Sequence, residues 1–204
     1  MRILFTKRTF APVGGSESLA YQFAMRLAAR GHDVRVLCAQ AFDSRPRFVD
    51  NGVEVVQVKP RGGFLGMLAD ASTLVDLINV GDLERNAEGR DLIHNVGREY
   101  LDSSLAAAES LDVPIVLTPL AHLGQFHGGD APADFERYRR ASAITTMTDW
   151  ESDWYAGHGI DPHRILTTGM GPNATRSRDG AAFRARHRIP ADAPMVLYVG
   201  RRER

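Results

Sequence analysis

The sequence predicts an α/β fold: a doubly wound, mainly parallel sheet with helices on both faces. Three observations carry that expectation. Short runs of apolar and β-branched residues alternate with amphipathic helical segments along most of the chain. The first run, Ile3-Leu4-Phe5, passes through Gly14-Gly15 into a segment with strict helical spacing of apolar residues. That segment stops at Gly31, and a second β-rich run, Val34-Arg35-Val36-Leu37-Cys38, follows at once. Strand, glycine loop, helix and strand make a βαβ unit, whose two strands run parallel.

The elements follow in order. Ser16 is expected to cap the first helix, with Glu17 at its positive end. Leu19, Ala20, Phe23, Ala24, Leu27 and Ala28 form its buried face, and Gly31 takes the position just past its end. Residues 53–58 read as a strand entered through Asn51-Gly52. Phe64, Leu65, Met67 and Leu68 open a helix that runs on through Leu74, Leu77 and Ile78. Asp91-Leu92-Ile93-His94 is a short buried strand ending at His94, and residues 99–111 form a helix. Residues 113–117 form a strand that Pro119 stops. A short helix over 135–141 precedes a strand over 143–147. Asp149 then opens a helix through Trp150, Trp154 and Tyr155, ended by Gly157 or Gly159. Residues 164–167 close the series.

Composition changes near Gly171-Pro172-Asn173. Three parts are expected: residues 1–175 as an N-terminal domain, 176–194 as a linker with a short helix over 181–187, and 195–204 as the first strand of a second α/β domain. Met195-Val196-Leu197-Tyr198-Val199-Gly200 has the pattern of a buried parallel strand, which needs neighbours on both sides.

The 204 residues are 44% hydrophobic, enough for a packed core. Lys+Arg and Asp+Glu are 25 each, which argues against a nucleic-acid binder, since such proteins carry a basic footprint. The single cysteine, Cys38, lies in an apolar run and reads as a small core residue. No intrachain disulfide can form, which suits a reducing compartment. The opening residues are not a signal peptide, because the apolar run breaks at Lys7 and Arg8. No segment approaches the roughly 18 apolar residues of a membrane span. The expected location is the cytoplasm.

Gly14-Gly15 is the first candidate site. Unpaired N–H groups and the positive end of the dipole make a helix start hospitable to anions, and glycine lets a phosphate approach the backbone. The plainer alternative is that both glycines serve only the turn. His122 lies just beyond a strand's carboxyl end, where ligands of α/β sheets bind. His122, His127 and Asp130 match no recognised zinc spacing and read as exposed loop residues rather than metal ligands.

These residues also carry a family resemblance. Gly14-Gly15-Ser16-Glu17, followed by Leu27-Ala28-Ala29-Arg30-Gly31-His32-Asp33-Val34, resembles the amino-terminal domain of family 4 GT-B glycosyltransferases (the group 1 glycosyltransferases). Asp91-Leu92-Ile93-His94 resembles that family's strand before its acceptor-side loop. Thr118-Pro119-Leu120-Ala121-His122 resembles the strand end bearing its active-site histidine. Val199-Gly200-Arg201 resembles the first strand of the second domain. In this order the segments span essentially the whole chain.

The resemblance implies two Rossmann-like domains facing a cleft, the first holding the acceptor and the second a nucleotide-sugar donor. It implies transfer of the sugar with retention of configuration, with no cofactor and no catalytic metal. Carried over by position, Gly15 presents its N–H to the donor phosphate and Gly14 allows the approach. His122 is the catalytic residue, binding and orienting the transferred sugar, and Arg201 neutralises the diphosphate. Bond breaking sends negative charge onto that diphosphate, so N–H groups and a guanidinium aimed there stabilise the transition state. The family's second-domain lysine and paired glutamates do not occur in these 204 residues, so the chain alone is expected to be inactive.

His94, Asn95, Thr148 and Asp149 are further candidates on the acceptor side, although Asp149 is most simply a helix cap. Trp150 and Trp154, four apart, read as a helix packed on the sheet. Arg137, Arg139 and Arg140 read as a solvated face. Phe64, Leu65, Met67 and Leu68, beside Lys59 and Arg61, suit either a buried helix start or contact with an apolar acceptor or the inner face of the membrane. The acceptor is expected to be a glycan, a lipid or a small molecule. Apolar residues 195–199 are a route to oligomers if they pair with a sheet edge of another copy. The rival readings are a nucleotide-sugar epimerase of GT-B architecture and a sugar- or nucleotide-binding module without catalysis. A Rossmann dehydrogenase fits less well, because Gly14-Gly15-Ser16 lacks the G-x-G-x-x-G spacing.

Overall fold

Strand β1 (Arg2–Thr6) is central in its sheet and, from Ile3 on, buried on both faces, because a hydrophobic core covers each side. The computed structural model describes residues 1–12, 14–39, 45–59, 79–125, 128–171 and 179–198. The chain divides into two compact units, Met1–Met170 and Gly171–Arg204. The first holds an eight-stranded sheet in the order β3-β4-β2-β1-β5-β6-β7-β8. Its strands after β1 are β2 (Asp33–Ala39), β3 (Arg47–Asp50), β4 (Val53–Val58), β5 (Leu92–Val96), β6 (Ile115–Thr118), β7 (Ala143–Thr146) and β8 (Ile165–Thr167). All neighbours run parallel except β3 and β4. This is the predicted doubly wound α/β sheet.

Each face has its own core. Ile3, Phe5, Val34, Val36, Val53 and Val55 point to the side covered by α1 (Gly15–Ala28), against Ala20 and Ala24. Leu4, Leu37 and Ile93 point the other way. There they meet α2 (Val80–Ala87) and α3 (Leu101–Leu111) through Leu83, Leu101 and Leu105. Alternate residues of one strand thus serve two cores, and each fully buried Leu or Ile contributes roughly 1.5–3 kcal/mol.

Helix ends follow their glycines. After α1, the Gly31 amide donates to the Ala28 carbonyl and the His32 amide to that of Leu27, with Gly31 at φ 85, which is the Schellman pattern. The same pattern ends α5 (Asp149–Gly157) at Gly159, whose φ is 83, so Gly159 rather than Gly157 makes the stop.

The structure adds two elements. Strand β3 precedes β4 as a hairpin through Asn51 (φ 47) and Gly52 (φ 81), the conformation Asn-Gly favours in a two-residue turn. Helix α2 is capped by Asn79, whose side chain accepts from the Gly81 amide. The predicted helix from Phe64 to Ile78 and the neighbouring Arg61 lie outside the described residues; Lys59 is exposed. Among the described residues, no helix is long and apolar enough to cross a membrane.

Several local expectations change. Ser16 does not cap α1; Gly14 holds the cap position, and the Ser16 hydroxyl donates to the Glu17 carboxylate at 2.9 Å. Thr148, not Asp149, caps α5, accepting from the Glu151 amide at 3.2 Å. The Glu151 carboxylate in turn accepts from the Met147 amide at 2.6 Å. Trp154 packs on Phe135 and Tyr155, but Trp150 is exposed because it lies on the outward side of the first turn. The three arginines of α4 (Pro132–Arg139) and its end are ion-paired rather than merely solvated: Arg137 with Asp102, Arg140 with Glu109 and Arg139 with Glu136.

In the second unit, Gly180–His187 forms α6, capped by Asp179. Arg184 donates to the carbonyls of Pro190 and Ala193, folding the following turn back on the helix. The expected strand at 195–200 is not in a β-ladder over its described part: Met195, Val196, Leu197 and Tyr198 are exposed. An apolar run becomes a strand only where another strand offers it hydrogen bonds.

Cys38 is a core residue of β2, 1% exposed, and burial pushes its thiol up to about 12. It is therefore expected to resist a thiol-specific disulfide reagent at pH 8 in the folded protein and to react at once in denaturant. Stoichiometric labelling of the native chain would contradict this burial.

Candidate functional site

The parallel strands β1, β5, β6 and β7 all end at one edge of the sheet, and Gly14, Gly15, His122, Thr148 and Asp149 lie at that edge. The strand order reverses direction on either side of β1, with β2 to one side and β5 to the other. That reversal opens a crevice at the carboxyl edge, where open α/β sheets bind ligands.

At the β1 end, the chain climbs through Lys7 to Gly14. Gly14 has φ 88 and ψ 174, a conformation that residues with a Cβ avoid. Gly14 and Gly15 are both exposed, and nothing lies within 4 Å of a Cβ placed on Gly15. The start of α1 therefore offers open space beside its first amides. One carboxylate already lies close by: Glu17 Oε2 would come within 2.8 Å of a Cβ on Gly14. Burial opposes the Glu17 charge. Lys7, its own amide, the Ser16 hydroxyl and Arg8 outweigh that and hold its carboxyl below the usual range.

Two of the predicted acceptor-side residues lie inside the sheet. Strand β5 continues through Val96, so His94 sits mid-strand rather than at its end. His94 is buried, 4.8 Å from the Phe5 ring and 6.0 Å from that of Phe23. Its Nε2 is 2.8 Å from Thr118 Oγ1, which lies 2.5 Å from Thr145 Oγ1. Burial lowers the imidazole to about 4, so the ring is neutral at pH 7. Asn95 is fully buried and donates to Thr6 Oγ1 and the Glu99 carbonyl. Both side chains serve the interior, tying β5 to its neighbours and to the turn that follows.

After β6 the chain makes a sharp exit. Leu120 has φ 54, a left-handed conformation costing a non-glycine residue about 1–2 kcal/mol. Its side chain is anchored against the core on the α1 face. The turn sends His122 outward into solvent. The His122 amide donates to the Gly128 carbonyl at 2.7 Å, and the Gln125 amide donates back to the His122 carbonyl at 3.3 Å. Asp130 accepts from the Gly124 amide at 2.7 Å, so it braces the loop. His127 lies outside the described residues, as does Arg201. Among the described residues, no group of three or more His, Cys, Asp or Glu side chains is placed to hold a metal ion.

At the β7 end, Thr148 and Asp149 are exposed at the start of α5. A cavity of about 220 Å³ lies at the opposite edge, lined by Tyr138, Ile144, Ile160 and Arg164 near the amino ends of β7 and β8. It is remote from this chemistry.

Three residues of the crevice were not singled out together from the sequence. Lys7 is almost fully buried between Glu99 and Glu17. The signal was Lys7 itself, a charge directly continuing an apolar strand.

A doubly wound sheet with a glycine loop and a histidine loop at its carboxyl edge is Rossmann-like and of the kind found in GT-B glycosyltransferases. Residues 14–171 match the glycosyl transferase 4-like domain, and the chain belongs to that family. Solved structures share the fold at low identity. Sucrose-phosphate synthase from Thermosynechococcus elongatus is 17% identical, with a TM-score of 0.65, over 98% of this chain and 55% of that one. HepE from Anabaena in complex with UDP-glucose is 18% identical, with a TM-score of 0.61, over 92% of this chain and 50% of that one. UDP-GlcNAc 2-epimerase from Methanocaldococcus jannaschii is 14% identical, with a TM-score of 0.50, over 82% and 45%. The chain spans about half the length of these structures. No curated protein matches it.

Proposed function

We propose that this chain is the acceptor-side half of a retaining glycosyltransferase that moves a sugar from a nucleotide-sugar to an acceptor hydroxyl. The observation that carries the reading is the open glycine pair at the start of α1, set at the same sheet edge as the outward-facing His122. The family membership and the HepE complex with UDP-glucose support it. Gly15 offers its amide to a donor phosphate. His122 contacts the transferred sugar. Thr148 and Asp149 lie exposed on the acceptor side. The family resemblance assigns diphosphate binding to Arg201, which lies outside the described residues, and the rest of the donor site belongs to a second domain. No cofactor or catalytic metal takes part. The acceptor is a glycan, lipid or small molecule, and the enzyme works in the cytoplasm, at the inner membrane face where the acceptor is a lipid.

Titration with UDP-glucose, followed by amide NMR, tests the phosphate contact. Shifts centred on residues 14–18 are expected; their absence at millimolar ligand would sink it. In the protein carrying both domains, His122→Ala is expected to lower the transfer rate about 10²–10³-fold. The anomeric configuration of the product decides retention. The epimerase fold match supports a second reading, under which the donor sugar is inverted at one carbon without any acceptor; product analysis distinguishes the two.

A further inference from the structure

Lys7 ends at an ammonium that is 1% exposed. A buried charge is costly unless paired and hydrogen-bonded. Lys7 Nζ donates to both carboxylate oxygens of Glu99, each at 3.0 Å, and stands 3.7 Å from Glu17 Oε1. The three residues come from three places: the exit of β1, the first turn of α1 and the turn after β5.

Both partner segments are shaped around this ammonium. Gly14 and Gly97 each have φ 88. A Cβ on Gly14 would press on Glu17, and one on Gly97 would lie 2.9 Å from Lys7 Nζ and collide with Glu99. Both glycines thus hold a positive-φ conformation that side chains avoid, directly beside the one charge cluster. The loops belong to opposite faces of the sheet, since α1 covers one face and α3, which follows Glu99, covers the other. Lys7 bridges them where the strand order reverses.

A buried ion pair is poor evidence for added stability, and an apolar replacement is often as stable. What an apolar residue cannot supply is a fixed geometry between two carboxylates on separate loops. We propose that Lys7 is a positioning residue that locks the glycine loop at the start of α1 to the Gly97-Arg98-Glu99 turn. Its use in catalysis rests on the donor-phosphate reading of that glycine loop; the lock itself does not.

Hydrogen exchange on Lys7→Met and Glu99→Gln tests the lock. In Lys7→Met, amides of residues 14–18 and 97–100 are expected to exchange faster together, on the order of 10-fold, while those of β2 and β4 are unchanged. Glu99→Gln is expected to loosen residues 14–18 as well, although Glu99 is not part of that loop, and to shift the Gly14 and Gly15 amide resonances. The Lys7→Met/Glu99→Gln double variant removes the nearer of the two part-buried carboxylates left without their ammonium, so it reports on the same loops if the single variant folds poorly. If each variant loosens only its own segment, or neither, the lock is overturned. UDP-glucose affinity separates the two ideas. Loss of coupled protection with wild-type affinity would leave the lock standing and remove its role at the donor. A wild-type chain that binds no UDP-glucose would remove the donor reading while the exchange data still decide the lock.

Discussion

Acidification from pH 7 to pH 4 is expected to remove about 3 kcal/mol of folding stability through His94 alone. In the folded chain its imidazole is lowered from 6.5 to about 4 by burial. It lies between the Phe5 and Phe23 rings, with Nε2 on the Thr118 hydroxyl. Above pH 6.5 the ring is neutral in both folded and unfolded chains, and this group costs nothing. Between 6.5 and 4 the unfolded chain takes up a proton that the folded chain refuses. Stability therefore falls by about 1.4 kcal/mol per pH unit in this window and levels off for this group below pH 4. Carboxylates such as Asp91 and Glu109, held low by hydrogen bonds from Arg2 and Arg140, also lose their charge on acidification. A second variant separates the effects. His94→Gln keeps a polar side chain toward Thr118 without a titratable ring, so it starts less stable but loses less on acidification. Urea unfolding of both forms across pH 4–7 is expected to show their stabilities converging by about 3 kcal/mol. Parallel curves would contradict a neutral buried imidazole.

His94 also shows where sequence reading reached its limit. The segment 91–94 was legible as a strand because Leu92 and Ile93 are apolar and Asp91 precedes them. Its true end at Val96 was not, since His94 and Asn95 look like loop residues by type. They are tolerated in the strand because each finds an internal partner: Thr118 for His94, and Thr6 with the Glu99 carbonyl for Asn95. Those partners come from sequence-distant strands, and no local pattern reports them. Residues that look available for a ligand in one dimension are thereby consumed in three. By contrast, Gly31 and Gly159 stop their helices through purely local bonds; the first stop was readable, and the second was narrowed to Gly157 or Gly159. The Asn51-Gly52 turn carried an equally local signal for a hairpin, but β3 before it is only four residues, with alternating exposure and little apolar pattern. Lys7 lies between these cases. Its charge at the end of an apolar strand marked it as unusual, yet its partners, Glu17 and Glu99, could be assigned only once the turn after β5 was placed beside β1.

Under the glycosyl transfer proposed above, Gly128→Ala is expected to lower the rate about 100-fold without unfolding the chain. The added methyl would run into the His122 carbonyl oxygen and come within 2.9 Å of that of Gln125. Both obstacles are backbone, so neither can swing aside. Relief requires opening the pair of hydrogen bonds that closes the loop, His122 N–H to Gly128 and Gly128 N–H to Gln125, at 2.7 and 2.8 Å. The segment bearing His122 must then move by a substantial fraction of an ångström. A displacement of about 1 Å at a substrate-positioning group can cost about 100-fold in rate, whereas overpacking typically costs about 1–3 kcal/mol of stability. The atoms the methyl meets belong to His122 and Gln125, outside every strand and helix, so circular dichroism and the cooperative melt should persist, with a lower midpoint. If Gly128 acts through His122, the losses do not add: His122→Ala/Gly128→Ala transfers no more slowly than His122→Ala alone. Steady-state rates of the four forms check this directly. Wild-type rates in Gly128→Ala beside a large loss in His122→Ala would show that the histidine tolerates a displaced loop. A fully additive double variant would show that Gly128 supports the reaction by another route.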